Sequence, residues 1–315
     1  MKIVRYSRNI KLPKKSHYIA LGVFDGVHLG HRKLIKLTVN KAKKNKGISI
    51  VVIFDPHPDR IIIPENNAFL LTTLKERINL IKDLEVDIFL IIKFSKILSK
   101  MSPKDFIVKI LVNSLQVKEL FVGFNYKFGF QGKGNVDCLK GYGKIYKFKT
   151  SILKPEVINK TIISSTIIKE YIRLGDTKKA KKLLGHNVII SGRVISGKGR
   201  GRKLLNFATA NIEIPLEKIL PANGVYLVEI NIDNQKYYGL MNIGIKPTFK
   251  EKNKTVEVHI INFNKSIYNK VVNINILQKI RNEKYFNHPG LLKKQIEDDI
   301  LTASKIIVKR NNKLD

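Results

Sequence analysis

A change of hydrophobic period near residue 186 divides this chain into two folding problems. From residue 18 to about 184, apolar strand-like runs alternate with helix-like segments, the pattern of a parallel sheet covered by helices. Strands are predicted over residues 18–24, 47–54, 86–94 and 118–124. Between them, TLKERINLIKDL and PKDFIVKILVNSL carry apolar residues at spacings of three and four, and Pro103 suits a first helical turn. From Asn187 onward, short runs rich in Val, Ile and Tyr are separated by Gly, Asn and Pro. The six runs NVIISGRVI, FATANIEI, GVYLVEINI, KYYGLMNIG, TVEVHIINF and VVNINIL predict a closed antiparallel barrel, because closure removes exposed strand edges. GLLKKQIEDDILTASKII then reads as an amphipathic helix packed on that barrel. The expected fold is an α/β, Rossmann-like domain with a parallel sheet over 1–185, followed by an all-β six-stranded barrel domain with a C-terminal helix over 186–315.

Length agrees with this division, since 315 residues suit two domains at ~150 each. Cys138 is the only cysteine and no Cys/His cluster has zinc-ligand spacing, so a reducing compartment is expected. The first sixteen residues lack the ~7 to 15 apolar residues of a signal-peptide core, and runs such as IFLII cannot span a bilayer. The expectation is a cytoplasmic protein with no membrane partner, and a monomer. The net charge of +34 at pH 7 raises nucleic acid as a partner. However, the lysines are spread along the chain with many Ile and Asn, and no arginine-rich helix, RNP-type motif or aromatic stacking platform accompanies them. No nucleic-acid partner is therefore expected.

The sharpest local signal is LGVFDGVHLGHRKLI at 21–35. A buried strand runs through Gly22, Phe24 and Asp25 into His28, Gly30 and His31 at the start of a helix. A helix N-terminus beside glycines favours anions, because unpaired N–H groups and the dipole point at the ligand. Histidines there can hydrogen-bond a triphosphate as charge moves onto departing pyrophosphate. As a bare pattern, histidines at i and i+3 equally describe two surface side chains. The string resembles the H-x-G-H signature of the nucleotidyltransferase superfamily, and FDGVHLGH looks like its FAD synthetase branch.

Three further segments follow in that family's order. FDPHPDR at 54–60 falls at the carboxyl edge of the predicted sheet, where open α/β folds bind ligands. VGFNYKFGFQGKGN offers Asn125, Lys127 and glycines for close approach to flavin or nucleotide. ISSTIIKEYIRLGD resembles the family's serine-threonine phosphate loop, with Ser165 and Thr166 as helix caps or phosphate ligands and Lys169 close behind. This chain departs from the family in having Ile167 where arginine is usual, Lys169 two positions on, and Asn125 and Lys127 where Asp and Arg are common. Lysine keeps the charge but lacks the planar fork that binds phosphate bidentately.

In the second half, SGRVISGKGRGRKLLNFATANIEI places a mobile glycine-basic loop, with Gly197 and Arg200, before Thr209 and Asn211 on a strand. Alone this is a basic hairpin loop. It resembles the riboflavin kinase signature ending in Pro-Thr-Ala-Asn, with Ala208 replacing the proline and Asn206 standing where Gly is common. Later segments follow that family's order, so the resemblance to bifunctional riboflavin kinase/FAD synthetase covers nearly the whole chain. The resemblance implies ATP-dependent phosphorylation of riboflavin to FMN and adenylylation of FMN to FAD. It also implies Thr209 and Asn211 as ligands of nucleotide-bound Mg2+, Glu257 as the base for the ribityl hydroxyl, and Arg281 and Glu283 as closing the flavin pocket. Competing expectations are that one half-reaction has been lost, or that the protein is a basic RNA binder.

Overall fold

The computed structural model describes residues 1–63, 69–196, 207–233, 235–245 and 254–312. Gly197, Arg200 and Asn206 lie outside them. By backbone contacts the chain divides into two compact units, Met1–Ser165 and Thr166–Asp315.

The first unit is a six-stranded sheet, all of whose pairings are parallel. Its strands are β1 (Lys2–Arg5), β2 (His17–Leu21), β3 (Ile48–Asp55), β4 (Ile88–Lys93), β5 (Val117–Gly123) and β6 (Lys149–Leu153), in spatial order β1-β4-β3-β2-β5-β6. The four expected strands form its centre, and β1 and β6 are edge strands that the sequence reading did not contain. Alternate strand residues pack on opposite faces. Ile19, Leu21, Ile50, Val52, Leu90 and Val122 join one apolar cluster with Phe106, Ile110 and Leu139. Helix α1 (Leu29–Lys44) packs on β2 and β3.

Short helices α2 (Pro58–Ile62) and α4 (Lys96–Ser99) follow β3 and β4, while α3 (Leu74–Lys82) precedes β4. Thr73 and Glu76 form a capping box that starts α3 and satisfies two otherwise orphaned backbone N–H groups. The expected helix from Pro103 begins as a single turn, α5 (Pro103–Asp105), and widens into π-helix over Phe106–Ser114. Its close is the Leu115 N–H donating to Ile110 O at 2.9 Å, an i to i−5 bond. Helix α6 (Val136–Tyr146) leads into β6, and a small hairpin of β7 (Val157–Ile158) and β8 (Thr161–Ile162) ends at α7 (Ser165–Arg173).

The second unit contains α8 (Thr177–Leu184) and a closed barrel of β9 (Val188–Ile195), β10 (Ala210–Glu213), β11 (Gly224–Ile232), β12 (Gln235–Ile245), β13 (Lys254–Ile260) and β14 (Val271–Arg281). Every pairing is antiparallel, and the six strands are the six predicted ones. Val256, Val258 and Ile260 are buried while Thr255, Glu257 and His259, each one position before them, are part-exposed, the alternation of a strand with one face in the barrel core. Outside the barrel, Val225, Leu227, Leu240 and Leu277 form a second apolar cluster with Ala303 of α9 (Pro289–Asn311). The C-terminal helix thus covers one flank of the barrel, as its amphipathic pattern requires.

Candidate functional sites

In the first unit the chain runs from β2 to β3 and β4 on one side, then returns to β5 on the other. The carboxyl ends of β2 and β5 therefore flank a topological switch point, where open α/β sheets bind ligands. The β2 end carries the Asp25–His31 loop, and the β5 end carries Asn125 and Lys127, both exposed.

That loop is tightly braced. His28 caps α1, its Nδ1 accepting from the His31 N–H at 3.3 Å. The two imidazoles stack with centroids 3.5 Å apart, and Phe24 meets His31 edge-on at 5.2 Å. A side chain on Gly30 would come within 3.3 Å of the His28 ring, so the glycine between the histidines makes room for their stacking. Gly22 is similarly confined, with the Phe24 ring 3.1 Å from where its Cβ would lie. Phe24 and Val27 are buried and hold φ of 53° and 41°, values rare outside glycine and strained for a β-branched residue.

The buried Asp25 is bound from two directions. Its Oδ1 accepts from the Thr72 N–H at 3.0 Å, and its carbonyl accepts from Ser165 Oγ at 2.9 Å. Ser165 thereby ties the first residue of α7 to the histidine loop, while Thr166 beside it is exposed and Lys169 is half-buried. Burial, followed by the nearby His28 and Arg77 charges, holds the His31 imidazole well below its usual pKa. His31 Nδ1 is buried without a hydrogen-bond partner among the described residues.

The sequence reading missed Thr72 and Arg77. Both lie in or beside a string that reads as an ordinary amphipathic helix, yet Thr72 is 2% and Arg77 1% exposed. The only local hint was a capping pattern at Thr73–Glu76, which explains the helix start but not the buried cation one residue later.

In the second unit a cavity of about 220 Å³ lies between the outer face of the barrel and α9. Its wall includes Thr209, Glu257, His259, Arg281 and Glu283, with Phe207, Leu240, Phe286, Leu292 and Ile296 supplying apolar surface. Barrel register explains the grouping. Glu257 of β13 is paired with Asn211 of β10 on one side and Asn242 of β12 on the other, and Val225 links Asn242 to Arg281. Directly paired residues share a face, so these side chains form one row across five strands. Asn242 was not foreseen, since its place depends on strand pairing rather than on local sequence.

Arg281 is anchored to α9. Its Nε donates to both carboxylate oxygens of buried Asp299 at 2.9 Å, and Nη2 lies 2.9 Å from Oδ2. Gln295 donates to the same carboxylate at 3.1 Å. Glu283 Oε2 accepts from Asn223 Nδ2 at 2.8 Å, and a side chain on Gly244 would strike its carboxylate. His259 Nδ1 donates to the Ala208 carbonyl at 2.9 Å while its ring meets Phe207 edge-on, bracing the segment that carries Thr209. Among the described residues no group of three His, Cys, Asp or Glu side chains could cage a metal, and no helix is long and apolar enough to cross a membrane.

Two family profiles match the chain, FAD synthetase over residues 11–167 and riboflavin kinase over 184–307. The bifunctional riboflavin kinase/FMN adenylyltransferase of Buchnera aphidicola from Schizaphis graminum is 38% identical over 97% of this chain and 98% of its own length. The Bacillus subtilis protein of the same description is 35% identical over 92% of each chain, and that of Escherichia coli K12 is 32% identical over 96% of this chain and 97% of its own. A solved structure described as a macrolide-efflux protein from Streptococcus pneumoniae superposes with a TM-score of 0.87 at 28% identity, covering 96% of this chain and 99% of that one.

Proposed function

The chain belongs to the bifunctional riboflavin kinase/FMN adenylyltransferase family, and from that premise we propose how its residues divide two reactions of flavin cofactor biosynthesis. In the second unit riboflavin is phosphorylated to FMN. Its 5′-hydroxyl oxygen bonds to the γ-phosphorus of ATP, Glu257 takes the hydroxyl proton, and ADP departs. Thr209 and Asn211 would hold the Mg2+ that accompanies ATP. Their neutral oxygens suit a hard cation bound mainly by phosphates and water, and such an ion neutralises developing phosphate charge. Arg281 and Glu283 close the flavin pocket; Gly197 and Arg200, outside the described residues, are assigned to the ATP phosphates on the sequence resemblance alone. The observation that supports this reading is the register that sets Asn211 and Asn242 on either side of Glu257, with Glu257 and Asn242 on the wall of the cavity.

In the first unit FMN becomes FAD. A phosphate oxygen of FMN bonds to the α-phosphorus of a second ATP and pyrophosphate leaves, with no covalent enzyme intermediate. His28, His31 and the backbone N–H groups around Gly30 bind the phosphates as charge moves to the leaving group. A neutral His31 still offers one ring N–H. Asp25, with Gly22 and Phe24, shapes the loop. Asn125 and Lys127 contact flavin or nucleotide and Ser165 contacts phosphate, while the phosphate role of Thr166 and Lys169 rests on the sequence resemblance alone. We assign the functional boundary to Gly185 and His186, and take the protein to be a cytoplasmic monomer.

The test is a time course of purified protein with riboflavin, ATP and Mg2+, with flavins separated by chromatography. FMN followed by FAD is expected. FMN alone would mean that only the kinase is retained and would point to Asn125, Lys127, Ile167 and Lys169; unchanged riboflavin would overturn the reading.

A further inference from the structure

We propose that Arg77 is a positioning residue for adenylyl transfer, holding from α3 the strained loop that presents His28 and His31. The proposal rests on the reading of the first unit as the FMN adenylyltransferase site.

Charged side chains are almost never fully buried unless they are paired, yet Arg77 is the largest of the fully buried side chains among the described residues. Its Nη1 donates to the Val23 carbonyl at 3.0 Å. That carbonyl immediately precedes Phe24, whose left-handed φ begins the turn that ends with Val27 in a second such conformation. Backbone strain of this kind persists only where surrounding structure over-determines it. Three residues from outside the loop do so here: Arg77 on the Val23 carbonyl, Thr72 on Asp25 through its backbone N–H and on Gly26 through its hydroxyl, and Ser165 on the Asp25 carbonyl.

Arg77 also acts through charge. Burial pulls its own pKa down, and the carboxylates of Asp25, Asp55 and Glu76 oppose that, so it persists as a cation in a carboxylate-rich setting. The titratable groups acting on His31 are His28, at the start of its own helix, and Arg77 from α3. Both, together with burial, keep the imidazole neutral. A single buried guanidinium therefore fixes the loop's geometry and biases the charge of one of its two phosphate-binding rings.

The test compares the full-length protein with Arg77→Gln and Arg77→Lys, using riboflavin phosphorylation as the internal control. The readouts are kcat and KM for FAD formation from FMN, and the titration of His31 by NMR. Arg77→Gln is expected to lose about 100-fold in kcat, the cost of a roughly 1 Å misplacement, with kinase activity unchanged and His31 titrating at higher pH. Arg77→Lys should restore the His31 titration and part of kcat, because an ammonium keeps the charge but not the fork. Wild-type kcat in Arg77→Gln would overturn the proposal, as would an equal loss in both variants with the His31 titration unmoved. If Arg77→Gln does not fold, Arg77→Lys decides: wild-type kcat in that variant overturns the proposal, and a partial loss with normal His31 titration supports it. A wild-type chain that makes no FAD sinks the parent reading and this proposal with it, whereas an active wild type beside an unaffected Arg77→Gln sinks this proposal alone.

Discussion

Glu257 and His31 are ionisable groups whose chemistry is set by opposite surroundings. Glu257 sits on the outward face of a barrel strand, part-exposed and bordered by two asparagines. Glu257→Gln removes the proposed base while keeping shape and should lower FMN formation by about 10²- to 10⁴-fold. FAD synthesis from added FMN should be untouched, and a coupled ADP assay beside flavin chromatography checks both. His31, by contrast, is held neutral by burial first and then by its electrostatic interaction with His28 and Arg77. As pH falls through about 6.5, the ordinary histidine pKa, the unfolded chain gains a proton that the folded ring refuses. Stability of the first unit must then decline. Thermal melts from pH 7.5 to 5.5 should show a steeper acid loss for wild type than for His31→Gln; equal slopes would remove His31 from the account. At this scale the sequence was informative where residues adjoin, as in His28-Leu29-Gly30-His31. It was silent on Arg77 and Asn242, because burial under a distant loop and pairing across strands leave no local pattern.

At the scale of elements, the central strands and the whole barrel were legible because each is an apolar run bounded by turn residues. The missing pieces share a physical reason. β1 is exposed along nearly its whole length, and β6 begins Lys-Thr-Ser and has no fully buried position, as edge strands do when only one side is paired. Helix α6 contains Gly141 and Gly143, which lower helix propensity by about 1 kcal/mol each. Gly143 is required there because a side chain would meet the Phe148 carbonyl at 2.6 Å. The π-helical stretch after Pro103 satisfies the same apolar spacing as an α-helix and is not distinguishable by pattern. One contact decides how an element serves a site: the Arg281–Asp299 pair joins the end of β14 to α9, and both walls of the cavity depend on it. Asp299→Ala leaves the half-buried Arg281 guanidinium without its carboxylate partner, which costs at most about 3 kcal/mol, the lower end for fully buried pairs. Its expected signature is a raised KM for riboflavin and a lowered melting temperature, with FAD synthesis from FMN retained. Denaturation followed by circular dichroism, alongside kinase kinetics, checks this.

At the scale of the whole molecule, two units built on different periods carry two separate constellations, so the activities should be separable by substitution. His28→Ala combined with His31→Ala should leave a riboflavin kinase that accumulates FMN, and mixing that variant with Glu257→Gln should restore the full path from riboflavin to FAD through released FMN. Failure of the mixture, with each variant active in its own half, would mean that FMN does not travel freely between molecules. Net charge adds a second property at this scale. With +34 at pH 7, the protein presents a positive field to substrates that are all phosphorylated except riboflavin. Long-range attraction of this kind raises encounter rates and is screened within about 10 Å at 0.1 M salt. The expected outcome is that kcat/KM for ATP and for FMN falls as ionic strength rises from about 0.01 to 0.15 M, while kcat changes little. Riboflavin, uncharged, acts as the internal standard: its kcat/KM at saturating ATP should stay level. A parallel loss for riboflavin would show that salt acts on the fold or the sites themselves, and the dispersed lysines would then have no role in substrate capture.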